Sequence, residues 1–176
     1  MKRIANLLAI SLVTLFSITS CKDDDDNNMN TAPNDTDKNF MTMGAYGNRN
    51  EIDFAQMALT MATDDSVKIF AQTMIDDHGM AMSELDSIAN MFSFTLPTTI
   101  DSIHGVTKTR LMGLSGHEFD TAYINSQVQD HIDAINLFQN EINSGNNVSI
   151  KSFAVKTLPH LQMHKETADR LKARLQ

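Results

Sequence analysis

The sequence predicts an all-α protein, a four-helix bundle made of two helical hairpins joined by a long crossover. Three observations predict it. Apolar residues recur at steps of three and four from residue 39 to the C-terminus, the spacing that gives a helix one buried face. Two short polar breaks, Asp64-Asp65-Ser66 and Gly145-Asn146-Asn147, each split that pattern into a pair of long helices. A longer segment, Ser93 to Leu114, separates the two pairs and carries Pro97. Two hairpins joined by one long crossover is the ferritin-like layout.

The first helix is expected over about 40–63 and the second over about 66–92, with Ser66 as N-cap. A short helical stretch is expected near 100–112 within the crossover. Ser115-Gly116-His117-Glu118 has the Ser-x-x-Glu pattern of a capping box and opens the third long helix, which ends near Asn143. Ser149 is expected to cap the fourth, and Pro159 to kink it by removing one backbone donor. The two hairpins resemble each other. Ser66-Val67-Lys68-Ile69-Phe70-Ala71 opens one helix and Ser149-Ile150-Lys151-Ser152-Phe153-Ala154 opens its counterpart. Glu51-Ile52-Asp53 and Glu118-Phe119-Asp120 are a weaker match, and the pairing points to an internal duplication.

The N-terminus reads as an export signal. Lys2 and Arg3 form a basic start, Leu7 to Ile18 a short and mostly apolar stretch, and Ile18-Thr19-Ser20-Cys21 closes it. This closing segment resembles the lipobox of bacterial lipoproteins, in which small residues precede a cysteine that receives the lipid. Residues 1–20 are then a signal peptide, and Cys21 is the lipid-bearing first residue of the mature chain. The chain's single cysteine also means that no internal disulfide forms. Lys22-Asp23-Asp24-Asp25-Asp26 follows, and residues 21–38 read as a lipidated, disordered acidic linker. A Lys and several acidic residues directly after the lipidated cysteine resemble the surface-export signal of lipoproteins in one group of Gram-negative bacteria. That resemblance implies a cell-envelope protein of the outer membrane, at its external face if the signal operates. Residues 39–176 form the bundle domain.

Charge and composition exclude some functions. The formal net charge is -8, and losing Lys2 and Arg3 with the signal lowers it to about -10. Nucleic acid needs a concentrated basic surface, so it is not a partner. No nucleophile elbow, phosphate loop or paired catalytic carboxylates appear, and the sequence assigns no catalytic residue.

Three core stripes each carry one histidine: His78 between Met74 and Ala81, His131 between Val128 and Ile135, and His164 between Leu161 and Ala168. In the first helix the stripe runs Ile52, Ala55, Leu59 and Ala62, with Glu51 flanking it. Counted from the two hairpin turns at ~1.5 Å per residue, all four lie roughly 20 Å along their helices, near the bundle's middle. Glu51, His78, His131 and His164 can therefore share one layer, with His160 one turn from His164. Imidazoles with one carboxylate are a common donor set for zinc, iron or copper. The competing reading is a buried hydrogen-bonded layer with no metal, because buried polar groups need partners. Asp77 and Asp130 precede two of the histidines and are expected to face solvent or a neighbouring helix, since adjacent helical residues diverge by about 100°. His104 and His117 are expected at the surface. Di-iron carboxylate bundles use Glu-x-x-His pairs, whereas Ile75, Val128 and Leu161 stand at those positions here. Among the 12 methionines, Met74, Met80 and Met82 cluster around His78. Thioethers suit copper, although methionine at helical spacing is also ordinary core filling.

Several of these segments resemble one family. Phe70-Ala71 followed by Met74-Ile75-Asp76-Asp77-His78, Leu114-Ser115-Gly116 followed by Phe119-Asp120 and Tyr123, Asp130-His131, and Leu158-Pro159 followed by His164 are similar to domain-of-unknown-function family 4142. The resemblance covers about residues 39–175. It implies a ferritin-like fold in a bacterial envelope and adds weight to His78, His131 and His164 as a site, without supplying a chemistry.

The lipid anchor is directly testable. Replacing Cys21 with Ser should move the protein from the membrane pellet to the soluble fraction. Continued membrane association of Cys21→Ser would rule the anchor out.

Overall fold

The structure is a computed structural model that describes residues 31–176. Residues 1–20, expected as a signal peptide, together with Cys21 and the acidic run after it, lie outside the described residues. Five helices follow in order: α1 Asp35–Met61, α2 Asp65–Met91, α3 Ser102–Met112, α4 Gly116–Ser144 and α5 Val148–Leu175. The four long ones form the bundle. α1 lies against α2 and α4, and α5 lies against α4 and α2. The crossover carries the short α3 and returns the chain to the end where α2 began, so α4 starts beside the α1–α2 turn. Among the described residues no helix is long and apolar enough to cross a membrane.

The helix ends correct the sequence reading in four places. α2 is capped by Asp64, whose Oδ1 accepts from Ser66 N at 2.8 Å and Val67 N at 3.3 Å. α5 is capped in the same way by Asn147, which accepts from Ser149 N at 3.0 Å and Ile150 N at 3.1 Å. The serines expected as caps are therefore the second residues of their helices, and each contributes a backbone N–H rather than a hydroxyl. The acceptor that satisfies the free N–H groups of a first turn sits two or three residues before them. The equivalence of the two caps extends the likeness of the two hairpins. Ser115 precedes α4 but makes no side-chain cap, and Gly116 enters the helix at φ +58, a conformation that glycine takes without a Cβ clash. α5 runs on through Pro159, beside Val155, which is 55% exposed, so water can serve the carbonyl that the proline ring leaves without a donor.

The fourth correction is at the start of the domain. Residues 35–38, expected within the disordered linker, are the first turn of α1. Asn34 and Asp37 form a reciprocal capping box, with Asp37 N to Asn34 Oδ1 at 2.9 Å and Asn34 N to Asp37 Oδ2 at 2.7 Å. Asp37 is buried and also accepts from Asn146 N at 3.0 Å and Asn147 N at 3.1 Å, which ties α1 to the α4–α5 turn. Glu141 is buried against this carboxylate. Burial first, and then Asp37, push its pKa up to about 8. Read linearly, Asn34 and Asp37 are simply polar. The tie that Asp37 makes across the fold appears only when the turn more than a hundred residues away supplies the donors.

The core comes in two parts. One cluster, with Phe54, Phe70, Phe119 and Tyr123, fills the end near the α1–α2 turn. The other, with Phe40, Leu85, Phe138 and Phe153, fills the end near the α4–α5 turn, where Phe40 and Phe138 meet edge to face at 4.8 Å. Between the two lie the buried polar residues Asn48, Glu51, His78, Gln127, His131 and His164. In α1 the buried face runs through Asn48, Glu51, Phe54 and Ala58, so Glu51 lies on the core face it was expected to flank. Ile52 and Leu59, expected in the core, are only partly buried.

Asp120 holds the two hairpins together at one end. It is 1% exposed and accepts from Thr63 N, Thr63 Oγ1 and Asp64 N at 2.7–3.0 Å. Removing a buried acceptor strands its donors, so Asp120→Ala should lose about 3 kcal/mol in urea denaturation, with Asp120→Asn losing less. A loss within experimental error would mean that the turn is held by packing alone.

Candidate metal centre

His78 on α2, His131 on α4 and His164 on α5 meet in the polar layer at the bundle's middle. All three are 5% exposed or less. Their ring centroids are 5.4–5.7 Å apart, and one ligand atom from each lies within 4.8 Å of the others.

Hydrogen bonds fix how each ring presents itself. His78 Nδ1 lies 2.9 Å from Asn48 Oδ1, and the Asn48 amide is oriented by its own Nδ2, which donates to Gly44 O at 3.0 Å. His131 Nδ1 lies 2.8 Å from the Gln127 carbonyl. His164 Nε2 lies 2.8 Å from Asp77 Oδ2. Each partner is an oxygen acceptor, so that ring nitrogen carries the proton and donates. The opposite nitrogens are His78 Nε2, His131 Nε2 and His164 Nδ1. All three are buried without a hydrogen-bond partner. In the neutral ring each of these is a bare lone pair.

Electrostatics keep the rings neutral. Burial, followed by the other two histidines, holds His78 well below the usual imidazole range. Burial brings His131 down to about 4 against the opposing pull of the Gln127 carbonyl. Burial also lowers His164, although Asp77 opposes it. Neutral imidazole is the form that binds a metal, and a second-sphere acceptor on the far nitrogen is the usual way such a ligand is oriented. Glu51 stands beside the cluster with Oε1 3.8 Å from His131 Nδ1 and Oε2 unpartnered. Burial, reinforced by Asp130, raises its pKa well above the usual carboxylate value.

A cavity of about 390 Å³ meets the layer from the side of α1, α3 and α4 and is lined by Glu51, His78 and His131, among others. A second hollow of about 250 Å³ reaches His78 and His164 from the α2–α5 side.

The family model of domain of unknown function 4142 matches residues 24–171. The chain belongs to the DUF4142 family. Two solved structures share its fold. A DUF305 fragment from Deinococcus radiodurans superposes with a TM-score of 0.73 at 10% identity, covering 82% of this chain and 99% of that one. CopM in the Cu(II)-bound form superposes with a TM-score of 0.69 at 18% identity, covering 80% and 97%. No curated protein matches the chain.

Not every residue singled out in this DUF4142 sequence joins the cluster. His160 is exposed and lines the second hollow with Asp77 and Met80. Met80 is 66% exposed, while Met74 and Met82 pack in the two apolar clusters on either side of the histidine layer. His117 is exposed. His104, expected at the surface, is instead partly buried between Asp101 at 2.7 Å and Asp130 at 3.3 Å. Its bond to Asp130 is the largest reason its pKa rises to about 9. Asp77 and Asp130 thus both turn toward a neighbouring helix. Sequence reasoning missed Asn48 and the Gln127 carbonyl. Asn48 was findable, because it falls on the α1 stripe with Met41, Ala45 and Ala55. The carbonyl carries no side-chain signal at all.

The buried neutral rings make stability depend on pH. A histidine whose folded pKa is lowered binds its proton more readily when unfolded, near 6.5, so the folded state loses stability as pH falls below that value. For His131 the loss runs from about pH 6.5 to its folded value of about 4. In chelator-treated buffer, wild type should lose on the order of 3 kcal/mol more than His131→Gln across this window in urea denaturation. Parallel pH profiles for the two would show that His131 is not a buried neutral ring.

Proposed function

We propose that this DUF4142 protein is a metal-binding module of the cell envelope, in which His78, His131 and His164 hold one transition-metal ion. The observation that carries the reading is the set of three buried ring nitrogens without partners, one per helix, on three histidines that each offer a ligand atom within 4.8 Å of the others. A metal-free hydrogen-bonded layer accounts for one nitrogen of each ring and leaves the other three desolvated and unpaired, which is costly for polar atoms. An ion satisfies all three at once. A bond length of ~2 Å to imidazole nitrogen requires only small side-chain shifts from the present spacing.

Three nitrogen donors leave a coordination position open. Copper(II) is the ion the donor set favours, because a given nitrogen site binds it more tightly than the other divalent first-row ions. The Cu(II)-bound state of CopM, which shares the fold, supports the same choice. Zinc is the main competitor. The lipobox-like segment ending in Cys21 and the acidic run after it support a lipid-anchored protein at the outer membrane. In this reading the bundle holds its ion on a tether close to that membrane.

The test is metal analysis of full-length protein purified without an affinity tag. One ion per chain is expected. Added copper(II) or zinc should stabilise the fold by about 2.7 kcal/mol at a free concentration 100 times Kd. His78→Ala and His131→Ala should each abolish this, while His160→Ala should not. Absence of stoichiometric metal together with an unchanged melting temperature would overturn the reading.

A further inference from the structure

The cavity on the α1–α4 side opens onto the histidine layer. It holds about 390 Å³, a size within the range of small-molecule sites. Its lining joins the metal-centre residues Glu51, His78 and His131 to an apolar wall that includes Met43, Leu137 and Phe138. His164 lines the other hollow instead, so the cavity meets the cluster on the side away from His164. Four buried atoms of lining residues have no partner: Glu51 Oε2, His78 Nε2, Asp130 Oδ2 and His131 Nε2.

α1 opens this space by sequence choice. Gly47 lines the cavity, and a Cβ placed on it meets no atom within 4 Å. Its backbone is ordinary helix, so no positive φ requires glycine there. Glycine in a helix interior costs about 1 kcal/mol relative to alanine. Here it leaves room next to the site.

The walls also select by charge. Asp101, Asp130 and Asp133 line the cavity with no lysine or arginine among the lining residues, and His104, the lining histidine outside the cluster, is already held by Asp101 and Asp130. An anionic ligand would face these carboxylates. A neutral nitrogen donor meets no like-charge repulsion from them, and it matches the nitrogen preference of an ion already held by imidazoles.

We propose that the cavity is a second-ligand site, which admits a neutral nitrogen donor with a compact apolar or aromatic body to the open coordination position of the ion held by His78, His131 and His164. This inference rests on the metal reading above. The donor nitrogen reaches the centre past Glu51, and the hydrocarbon body lies against Leu137 and Phe138.

The experiment loads the full chain with cobalt(II), whose visible absorption reports its ligands, and then adds imidazole, 4-phenylimidazole or benzoate. 4-Phenylimidazole should shift the cobalt band and bind about tenfold or more tightly than imidazole, because its phenyl group leaves water for the apolar wall. Benzoate should bind far more weakly. Gly47→Leu should fill the cavity and weaken 4-phenylimidazole by about tenfold or more, with cobalt uptake unchanged. Gly47→Ala, the smallest filling, should fold at least as well and give an intermediate loss. Failure to take up cobalt would overturn both the metal reading and this inference. Cobalt uptake with no band shift, with 4-phenylimidazole no tighter than imidazole, or with Gly47→Leu and Gly47→Ala both without effect would overturn this inference alone. Benzoate binding as tightly as 4-phenylimidazole would overturn the nitrogen-donor assignment.

Discussion

Three imidazole nitrogens are buried at one level of the bundle with nothing to bond to, and the surrounding structure is organised around that level. Apolar clusters close off both ends, so the polar layer cannot be relieved by water entering along the bundle axis. Within the layer, Asn48, the Gln127 carbonyl and Asp77 each accept a hydrogen bond from one ring N–H. Those bonds fix which nitrogen donates and leave the other buried without a partner. Burial then holds the rings neutral, which keeps the lone pairs available. Donor, orientation and charge state are three separate requirements for a metal ligand, and separate features of the fold meet each one.

The long crossover matters for the same reason. By returning the chain to the end where α2 began, it makes every neighbouring pair of long helices antiparallel and brings their midpoints to one height. Asp120 fixes that height at one end through the α1–α2 turn, and Asp37 fixes it at the other through the α4–α5 turn. Two buried carboxylates spent on backbone N–H groups are therefore part of how histidines from three helices come into register. α3 adds a side wall, with Asp101 bonded to Asn50 of α1 at 2.8 Å and His104 reaching Asp130 of α4. This wall borders the cavity, so the segment that solves the topology also shapes access to the centre.

The cavity and the histidine layer were unequally legible in the sequence. Periodicity marks His78, His131 and His164 as core residues, because a helical stripe is a local property of the chain. Glu51 lies one position from the apparent stripe of its helix, and only packing shows it buried. Gly47 reads as a weak point in a helix until the space beside it is known. His104 reads as a surface residue because its helix has little amphipathic character, and its two carboxylate partners come from its own cap and from a different helix.

By itself the sequence determined the all-α class, the two hairpins and their crossover, the positions of the long helices to within a few residues, and the family. These follow from spacing and from where turn-forming residues interrupt it, and both are written along the chain. Tertiary structure decided which atoms face one another: the true caps, the buried carboxylates at both ends, the unpartnered ring nitrogens of the three histidines, and the cavity beside them. Those depend on residues brought together from distant parts of the chain, some contributing only a backbone carbonyl or a missing side chain, and no linear pattern records such a contact.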